Sequence, residues 1–321
     1  MAWCDQPCSR RQLLKAGLLA AGGALASSWL WPARRLFANA DAAAIPTRPL
    51  GKTGVQVTML GLGGEGILRT WGRDREAAAV IERALDLGIT YCDTAPAYSG
   101  SQDYYGAVLA ERRAVIFLAS KTHDRTRDGS LRLLDNSLAR LKTDHLDLWQ
   151  LHDLTELDEL EAIFGPRGAI HALEEATRDG RVRFLGVTGH YDPAVLAEAI
   201  RRHPFDTVLV ALNAADRARR SFIDRFLPEA AARQLGIIGM KVVARGRLLR
   251  PDGVSTMREA LGYVLTLPVS TAIVGYTTPE EVEEAVRLVK HFEPFPAEEM
   301  ARLERLARPY ADEANWFKRP A

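Results

Sequence analysis

Short apolar runs recur along the chain from residue 59 onwards, and longer amphipathic stretches separate them. Each run is almost entirely apolar, which is the pattern of a strand buried on both faces of a sheet. The sequence therefore predicts eight strands, at 59–63, 90–93, 116–121, 145–151, 184–188, 207–212, 236–242 and 271–274.

The stretches between these runs have the periodicity of helices. Residues 76–87 place Ala79, Val80 and Ala84 on one stripe, and residues 131–141 repeat leucine at the same spacing. Glycine and proline mark helix ends in the expected order: glycines follow predicted C-termini and prolines occupy first turns. These residues are Gly88, Gly180, Pro193 and Pro279.

Eight strand-then-helix units predict a parallel sheet closed into a (β/α)8 TIM barrel. The alternative is an open, doubly wound sheet, which usually carries a glycine fingerprint after its first strand. The glycine-rich segment 61–66 does not have the GxGxxG spacing. We interpret it as a turn at the barrel mouth.

Three segments lie outside the eight units. Residues 50–57 predict a short N-terminal β-hairpin that closes the barrel floor, and residues 154–168 predict an extended loop. Residues 297–307 predict an extra C-terminal helix, followed by a tail with Trp316 and Phe317. The loop and the tail are both placed to cover the active mouth.

The composition is that of a globular protein, with 47% hydrophobic and 26% charged residues and a net charge of +1. No basic face stands out in the sequence pattern, so we predict that nucleic acid is not a partner. Of the three cysteines, only Cys92 lies beyond residue 40. The sequence shows no Cys/His cluster, so it predicts no metal site. Without residues 1–40, the chain has 37 basic and 40 acidic residues.

The first 40 residues have the layout of an export signal. Arg10 and Arg11 precede an apolar run at 16–31, which is shorter than the roughly 20 residues of a membrane span. A small-residue site, Ala38-Asn39-Ala40, follows the run. The segment resembles a twin-arginine signal peptide, although a Sec signal or an uncleaved anchor shares part of the pattern. The resemblance predicts cleavage after Ala40, the export machinery as a partner, no stable membrane span after cleavage, and a periplasmic or otherwise exported bacterial protein.

Polar residues stand at the ends of three consecutive predicted strands. Asp93 ends the second strand and Tyr98 follows it, Lys121 ends the third strand, and His152 ends the fourth. Reactive groups of such barrels lie at these carboxyl ends, and neighbouring strands are about 4.8 Å apart. We therefore expect the four side chains to meet.

Their chemistry suits the reduction of a carbonyl group, which needs a hydride at carbon and a proton at oxygen. A free tyrosine, with a pKa near 10, is a weak acid at neutral pH. We expect the Lys121 ammonium to lower the pKa of Tyr98, with Asp93 holding that lysine charged. His152 is then placed to donate a hydrogen bond to the substrate oxygen.

These motifs resemble those of the aldo-keto reductases. The resemblance rests on Asp93-Thr94-Ala95-Pro96-Ala97-Tyr98, Ala119-Ser120-Lys121 and the segment 144–152, and it extends over about residues 48–290. It implies an enzyme that reduces aldehydes, ketones or sugars with NADP(H) bound across the barrel mouth. It also implies that Tyr98 is the proton donor and that Lys121, His152 and Asp93 support it.

The nucleotide-binding positions depart from the family pattern. Thr188 and Gly189 replace a Ser-Asn pair, Thr277 replaces a basic residue, and Glu281 replaces Arg or Gln. The predicted cofactor-binding residues are Gly63, Thr188, Lys241, Gly275, Thr277 and Glu281, with Lys241 on the seventh strand. The cofactor is therefore expected to be NADP(H) or NAD(H).

The sequence thus predicts a signal peptide at 1–40 and one barrel domain at 41–321. The predicted function is that of an oxidoreductase acting on a small-molecule carbonyl. The alternative is a catalytically vestigial barrel that serves as a binding or regulatory module. Retention of all four predicted catalytic residues favours the enzyme.

Overall fold

A computed structural model describes residues 44–318, and the predicted signal peptide lies outside these residues. Within them, a two-stranded antiparallel sheet precedes a closed barrel of eight parallel strands in chain order, with the last strand beside the first. The predicted (β/α)8 fold is confirmed, and the open-sheet alternative is excluded by the closure. The strands are β1 Thr47–Pro49, β2 Gln56–Thr58, β3 Leu60–Gly66, β4 Tyr91–Asp93, β5 Phe117–Thr122, β6 Leu146–Leu151, β7 Val182–Gly189, β8 Thr207–Ala211, β9 Gly236–Met240 and β10 Thr271–Tyr276.

Helices cover the outside of the barrel. Apolar stripes such as Val80, Ile81 and Ala84 are fully buried between helices and strands. Pro193 and Pro279 begin helices as predicted, and Gly88 and Gly180 follow helix ends with φ of 94° and 73°. The helices are α1 Asp74–Asp86, α2 Ser101–Val108, α3 Arg127–Leu141, α4 Leu157–Phe164, α5 Ala169–Arg178, α6 Pro193–Arg202, α7 Phe222–Arg225, α8 Leu227–Ala232, α9 Met257–Thr266, α10 Pro279–Lys290, α11 Ala297–Ala307 and α12 Ala311–Ala314.

The N-terminal hairpin closes the floor of the barrel, as the sequence predicts. Strands β1 and β2 pair antiparallel, and the turn between them presents Leu50. Leu50 and Val57 are fully buried in one apolar cluster with Tyr91 and Phe117, whose rings stack 5.5 Å apart inside the barrel. The opposite mouth is therefore the open end, where the carboxyl ends of the strands lie.

Two sequence-based interpretations are wrong. The glycine-rich segment 61–66 is not a turn, because β3 continues to Gly66 and pairs there with Tyr276 of β10. Gly66 has φ of 67°, and a Cβ on it would lie 2.3 Å from the Tyr276 carbonyl oxygen, so only glycine permits this pairing. Residues 154–168 are not simply a loop, because α4 forms there behind a capping box between Glu156 and Glu159.

The C-terminal segment returns to the barrel after α11. Asn315 donates a hydrogen bond of 2.7 Å to the Ala215 carbonyl, and Lys318 Nζ lies 2.5 Å from Asp216 Oδ1. Lys318 and Asp216 are both fully buried, so this ion pair anchors the tail to the loop after β8. No helix within residues 44–318 has the length and apolar character that a membrane span requires.

Candidate active site

Asp93 and Lys121 form a buried ion pair at the mouth of the barrel. Asp93 of β4 is in register with Ala119 of β5, and Lys121 lies two residues further along the same face. Lys121 Nζ donates to Asp93 Oδ2 at 2.6 Å and to the Thr94 carbonyl at 2.9 Å. Both side chains are at most 1% exposed, so each charge depends on the other for its stabilisation.

Tyr98 lies against this ion pair. Lys121 Nζ is 4.7 Å from the centroid of the Tyr98 ring, and the His152 ring meets the same ring edge to face at 5.6 Å. Gly64 makes room for the tyrosine, because a Cβ there would lie 2.5 Å from Tyr98 Cδ2. The structure therefore brings together all four residues that the sequence selected as catalytic.

The expected lowering of the Tyr98 pKa is wrong for this structure. Burial, assisted by the nearby carboxylates of Asp93 and Glu65, raises the pKa of Tyr98 well above its usual 10. The nearby Arg69 guanidinium opposes this rise, and Lys121 is held in its ion pair with Asp93. Tyr98 is consequently protonated at neutral pH, which is the state that a proton donor needs.

His152 is a neutral imidazole in this site. Its backbone is fixed by a hydrogen bond from its N–H to the Thr122 carbonyl and by Arg125, which donates to the His152 carbonyl. Burial, together with the positive charge of Lys121, lowers the pKa of His152 well below 6.5. A neutral histidine next to Tyr98 is suited to hydrogen-bond a carbonyl oxygen without introducing a charge.

A cleft of about 790 Å³ runs from Asp93 and Tyr98 across the barrel mouth to the start of α10. Five of the six predicted cofactor-binding residues line it, namely Gly63, Lys241, Gly275, Thr277 and Glu281. Thr188 does not line it. Its Oγ1 accepts a 2.7 Å hydrogen bond from the Asp153 N–H, so it supports the loop after β6.

The loop after β9 supplies the positive charges of the cleft. Lys241 follows β9 instead of lying on it, with φ of 60°, and Arg245 has φ of 56°. A left-handed backbone at non-glycine residues is uncommon and costs energy, which the surrounding structure must offset. This loop therefore holds two cations in fixed positions at the side of the cleft.

Glu65, at the end of β3, is a cleft residue that the sequence interpretation missed. Its carboxylate lies 2.7 Å from Arg69, 2.8 Å from Arg245 and 3.6 Å from Lys241. Burial opposes its ionisation, but the hydrogen bond from Arg245 and these three cations lower the pKa of Glu65 to about 2. The sequence signal that could have identified Glu65 is its position as an acidic residue within the glycine-rich end of the first barrel strand.

The cleft fits a dinucleotide cofactor. Its volume lies within the range of about 300–1,000 Å³ that is usual for ligand sites, and Lys241 and Arg245 provide charge for phosphate groups. At its far end, Glu281 accepts a 2.6 Å hydrogen bond from the Thr277 N–H. Among residues 44–318, no group of His, Cys, Asp and Glu side chains is placed to hold a metal ion.

Comparison with known proteins agrees with this geometry. The sequence profile described as "Aldo/keto reductase family" matches residues 59–255. The chain is 28% identical over 233 residues to an uncharacterized oxidoreductase of Bacillus subtilis, YqkF, over 68% of this chain and 72% of that protein. It is 26% identical over 296 residues to L-galactose dehydrogenase of Arabidopsis thaliana, over 78% of this chain and 89% of the relative.

A solved structure shows the same architecture. The holo form of the aldo-keto reductase AKR11C1 from Bacillus halodurans matches with a TM-score of 0.69 and 25% sequence identity. The match covers 82% of this chain and 96% of that one. The likeness therefore extends over the barrel as a whole.

Proposed function

We propose a carbonyl reduction for this chain, because the chain belongs to the aldo/keto reductase family. The chain is accordingly an oxidoreductase of the carbonyl-reducing kind that binds a nicotinamide cofactor, NADP(H) or NAD(H). We propose that it reduces a small-molecule aldehyde, ketone or sugar carbonyl, and that Tyr98 donates the proton.

One observation carries this proposal: the Tyr98 ring contacts both the Lys121 ammonium and the neutral His152 ring, at the end of the cleft. When bound, the reduced cofactor supplies a hydride to the carbonyl carbon. His152 hydrogen-bonds the carbonyl oxygen and orients it. Tyr98 gives its proton to that oxygen, so that hydride and proton together convert the carbonyl into an alcohol. Lys121 stabilises the phenolate that remains, and Asp93 keeps Lys121 charged.

We further propose that the cleft favours NAD(H) more than is usual for the family. Thr277 and Glu281 provide no positive charge at the far end of the cleft, where the resemblance places the 2′-phosphate. Acidic residues in NAD sites accept hydrogen bonds from the ribose hydroxyl and repel a phosphate. Lys241 and Arg245 are the nearby cations that oppose this preference.

We also propose that the protein acts outside the cytoplasm after twin-arginine export. The support is the order of charged, apolar and small-residue segments in residues 1–40, which lie outside the described part of the chain. Twin-arginine export carries folded proteins, which suits an enzyme that loads its nucleotide before leaving the cytoplasm.

Cofactor consumption tests the proposed reaction. Purified protein is mixed with NADH or NADPH and a generic aldehyde, and the loss of reduced-nicotinamide absorbance is followed. We expect binding of the cofactor and its oxidation only when the aldehyde is present. Binding without oxidation across a panel of carbonyl compounds would instead identify a catalytically vestigial barrel.

A further inference from the structure

The loop after β9 concentrates positive charge at one side of the cleft. Lys241, Arg245 and Arg247 stand within seven consecutive positions, and residues 241–247 contain neither aspartate nor glutamate. Burial, together with repulsion from Arg245, lowers the pKa of Lys241, although Glu65 opposes this shift. Like charges held so close together need a favourable contact that offsets their repulsion.

The backbone of this loop is also unfavourable. φ is 60° at Lys241, 48° at Ala244 and 56° at Arg245. A left-handed backbone at non-glycine residues costs energy and persists only where the surrounding structure holds it. The side-chain contacts of the loop identify the part of the chain that holds it.

Trp316 of the C-terminal tail, residues 315–318, contacts all three cations of the loop. The centroid of its ring lies 5.7 Å from Lys241 Nζ, 5.1 Å from Arg245 Cζ and 5.0 Å from Arg247 Cζ. A cation within about 6 Å of an aromatic centroid is attracted to the ring, and tryptophan is the strongest aromatic partner. A single indole therefore stabilises three positive charges that repel one another.

The tail fixes Trp316 through the residues on both sides of it. Asn315 donates a hydrogen bond to the Ala215 carbonyl at 2.7 Å, and Lys318 forms its buried ion pair with Asp216. Both partners belong to the loop after β8, which is a different loop from the one that carries the cations. The position of the indole is therefore set by contacts other than those with the cations.

We propose that Trp316 is a positioning residue for cofactor binding, because the tail holds Lys241 and Arg245 where they meet the phosphate groups of the nicotinamide cofactor. Of the described residues, both cations line the cleft and Trp316 does not, so the indole acts through them. Cations that are fixed in advance bind an anion more tightly, since less side-chain freedom is lost on binding. Glu65 competes with the phosphates for the same two cations.

This role lies in a part of the chain that the family profile does not describe, because the profile match ends at residue 255. The inference rests on the proposed function and adds to it a residue outside the cleft. It also makes the last residues of the chain part of the nucleotide site.

Dissociation constants for NADH and NADPH, measured by calorimetry, test the inference. Trp316→Leu removes the aromatic face, and Trp316→Phe keeps a weaker one. Trp71→Leu is the matched control, because the Trp71 ring also contacts a cation, Arg140 at 5.7 Å, but is 66% exposed and is not among the residues that line the cleft. Thermal unfolding of each protein shows whether the fold is retained.

We expect Trp316→Leu to raise both dissociation constants about fivefold or more, because each exposed cation–π contact is worth roughly a factor of two to five. Trp316→Phe should raise them by a smaller factor, and Trp71→Leu should bind both cofactors as the wild type does. If Trp316→Leu proves unfolded, the loss of affinity in Trp316→Phe decides the question.

A double-mutant cycle separates positioning of the cations from a general effect on the fold. Lys241→Gln combined with Arg245→Gln removes both cations and should by itself weaken cofactor binding. Adding Trp316→Leu to this background should change the dissociation constants by less than about twofold, since residues that act through one another do not contribute additively.

Wild-type affinity in folded Trp316→Leu overturns the inference and leaves the reductase function standing. A full effect of Trp316→Leu in the background without the two cations also overturns it, since the tryptophan then acts on the fold and not through Lys241 and Arg245. Wild-type affinity in that background alone has the same consequence. A wild type that binds neither cofactor overturns the proposed nucleotide site and function, and the inference falls with them.

Discussion

The carboxylate of Glu65 lies 2.8 Å from the guanidinium of Arg245, across the cleft that runs over the barrel mouth. The contact joins the ends of β3 and β9 above the intervening strand β10. Gly275 of β10 allows it, because a Cβ there would lie 2.7 Å from Glu65 Cβ. An internal anion thus pairs with Lys241 and Arg245, the cations that we propose to meet the phosphates of the cofactor.

Replacing Glu65 with glutamine should therefore strengthen cofactor binding. The substitution frees Lys241 and Arg245, and a partly exposed ion pair is worth up to about 1 kcal/mol, so we expect dissociation constants about fivefold lower. Fluorescence titration with NADH and NADPH measures them. Glu284→Gln is the matched control, since Glu284 lines the same cleft and its replacement removes the same charge. Weaker binding by Glu65→Gln would show instead that Glu65 positions the two cations for the nucleotide.

Replacing Tyr98 with phenylalanine should abolish proton donation and keep the ring that packs on Gly64 and His152. General-acid catalysis typically contributes about 10²–10⁴-fold, so carbonyl reduction should fall by about that factor. Cofactor affinity should change little. Steady-state kinetics and fluorescence titration separate the two effects, and wild-type turnover in the variant would remove Tyr98 from its proposed role.

His152 should make folding stability depend on pH below about 6.5. Burial and Lys121 hold its folded pKa well below that of the unfolded chain, which is about 6.5. The unfolded state therefore binds the proton first, and stability falls as the pH drops from about 6.5 towards the folded pKa, by up to about 1.4 kcal/mol per pH unit. In His152→Gln the part of this loss that His152 causes should disappear, so the fall in stability should be smaller than in the wild type.

Urea unfolding of wild type and variant at pH 8 and pH 5 checks this expectation. His171→Gln is the control, because that side chain is 43% exposed on α5, where it lies 3.6 Å from Glu174. It should keep the wild-type pH dependence. An identical loss of stability in His152→Gln and wild type between the two pH values would show that other groups cause it.

The double substitution Thr277→Lys with Glu281→Gln should shift cofactor preference towards NADP(H). It adds one positive charge and removes one negative charge where the 2′-phosphate is proposed to lie, and phosphates are normally met by Arg or Lys. Dissociation constants for both cofactors, measured side by side, test it. A wild type that prefers NADPH a hundredfold, unchanged by the double substitution, would place the phosphate elsewhere.

Replacing Arg10 and Arg11 with lysine should block export and leave the charge of the segment unchanged. If the twin-arginine interpretation is right, the protein should accumulate in the cytoplasm, folded and uncleaved. Cell fractionation with antibody detection measures this. Undiminished export of the double-lysine variant would favour a Sec route.

The sequence by itself determined the barrel. Apolar runs and helical stripes require burial on defined faces, and eight such units leave a closed parallel sheet as the structure that satisfies them. It also selected Asp93, Tyr98, Lys121 and His152, because position at a strand's carboxyl end follows from chain order alone. These are local properties, and local pattern is what a single sequence records.

Only the tertiary structure decided how these groups behave. The pKa of Tyr98 depends on desolvation and on the charges around it, so burial, assisted by the carboxylates of Asp93 and Glu65, reversed the expected direction. The contact of Glu65 with Arg245 joins residues 180 positions apart, and the ion pair of Lys318 with Asp216 joins residues 102 positions apart. Such contacts are set by three-dimensional packing, whose distances and burial do not appear in the order of residues.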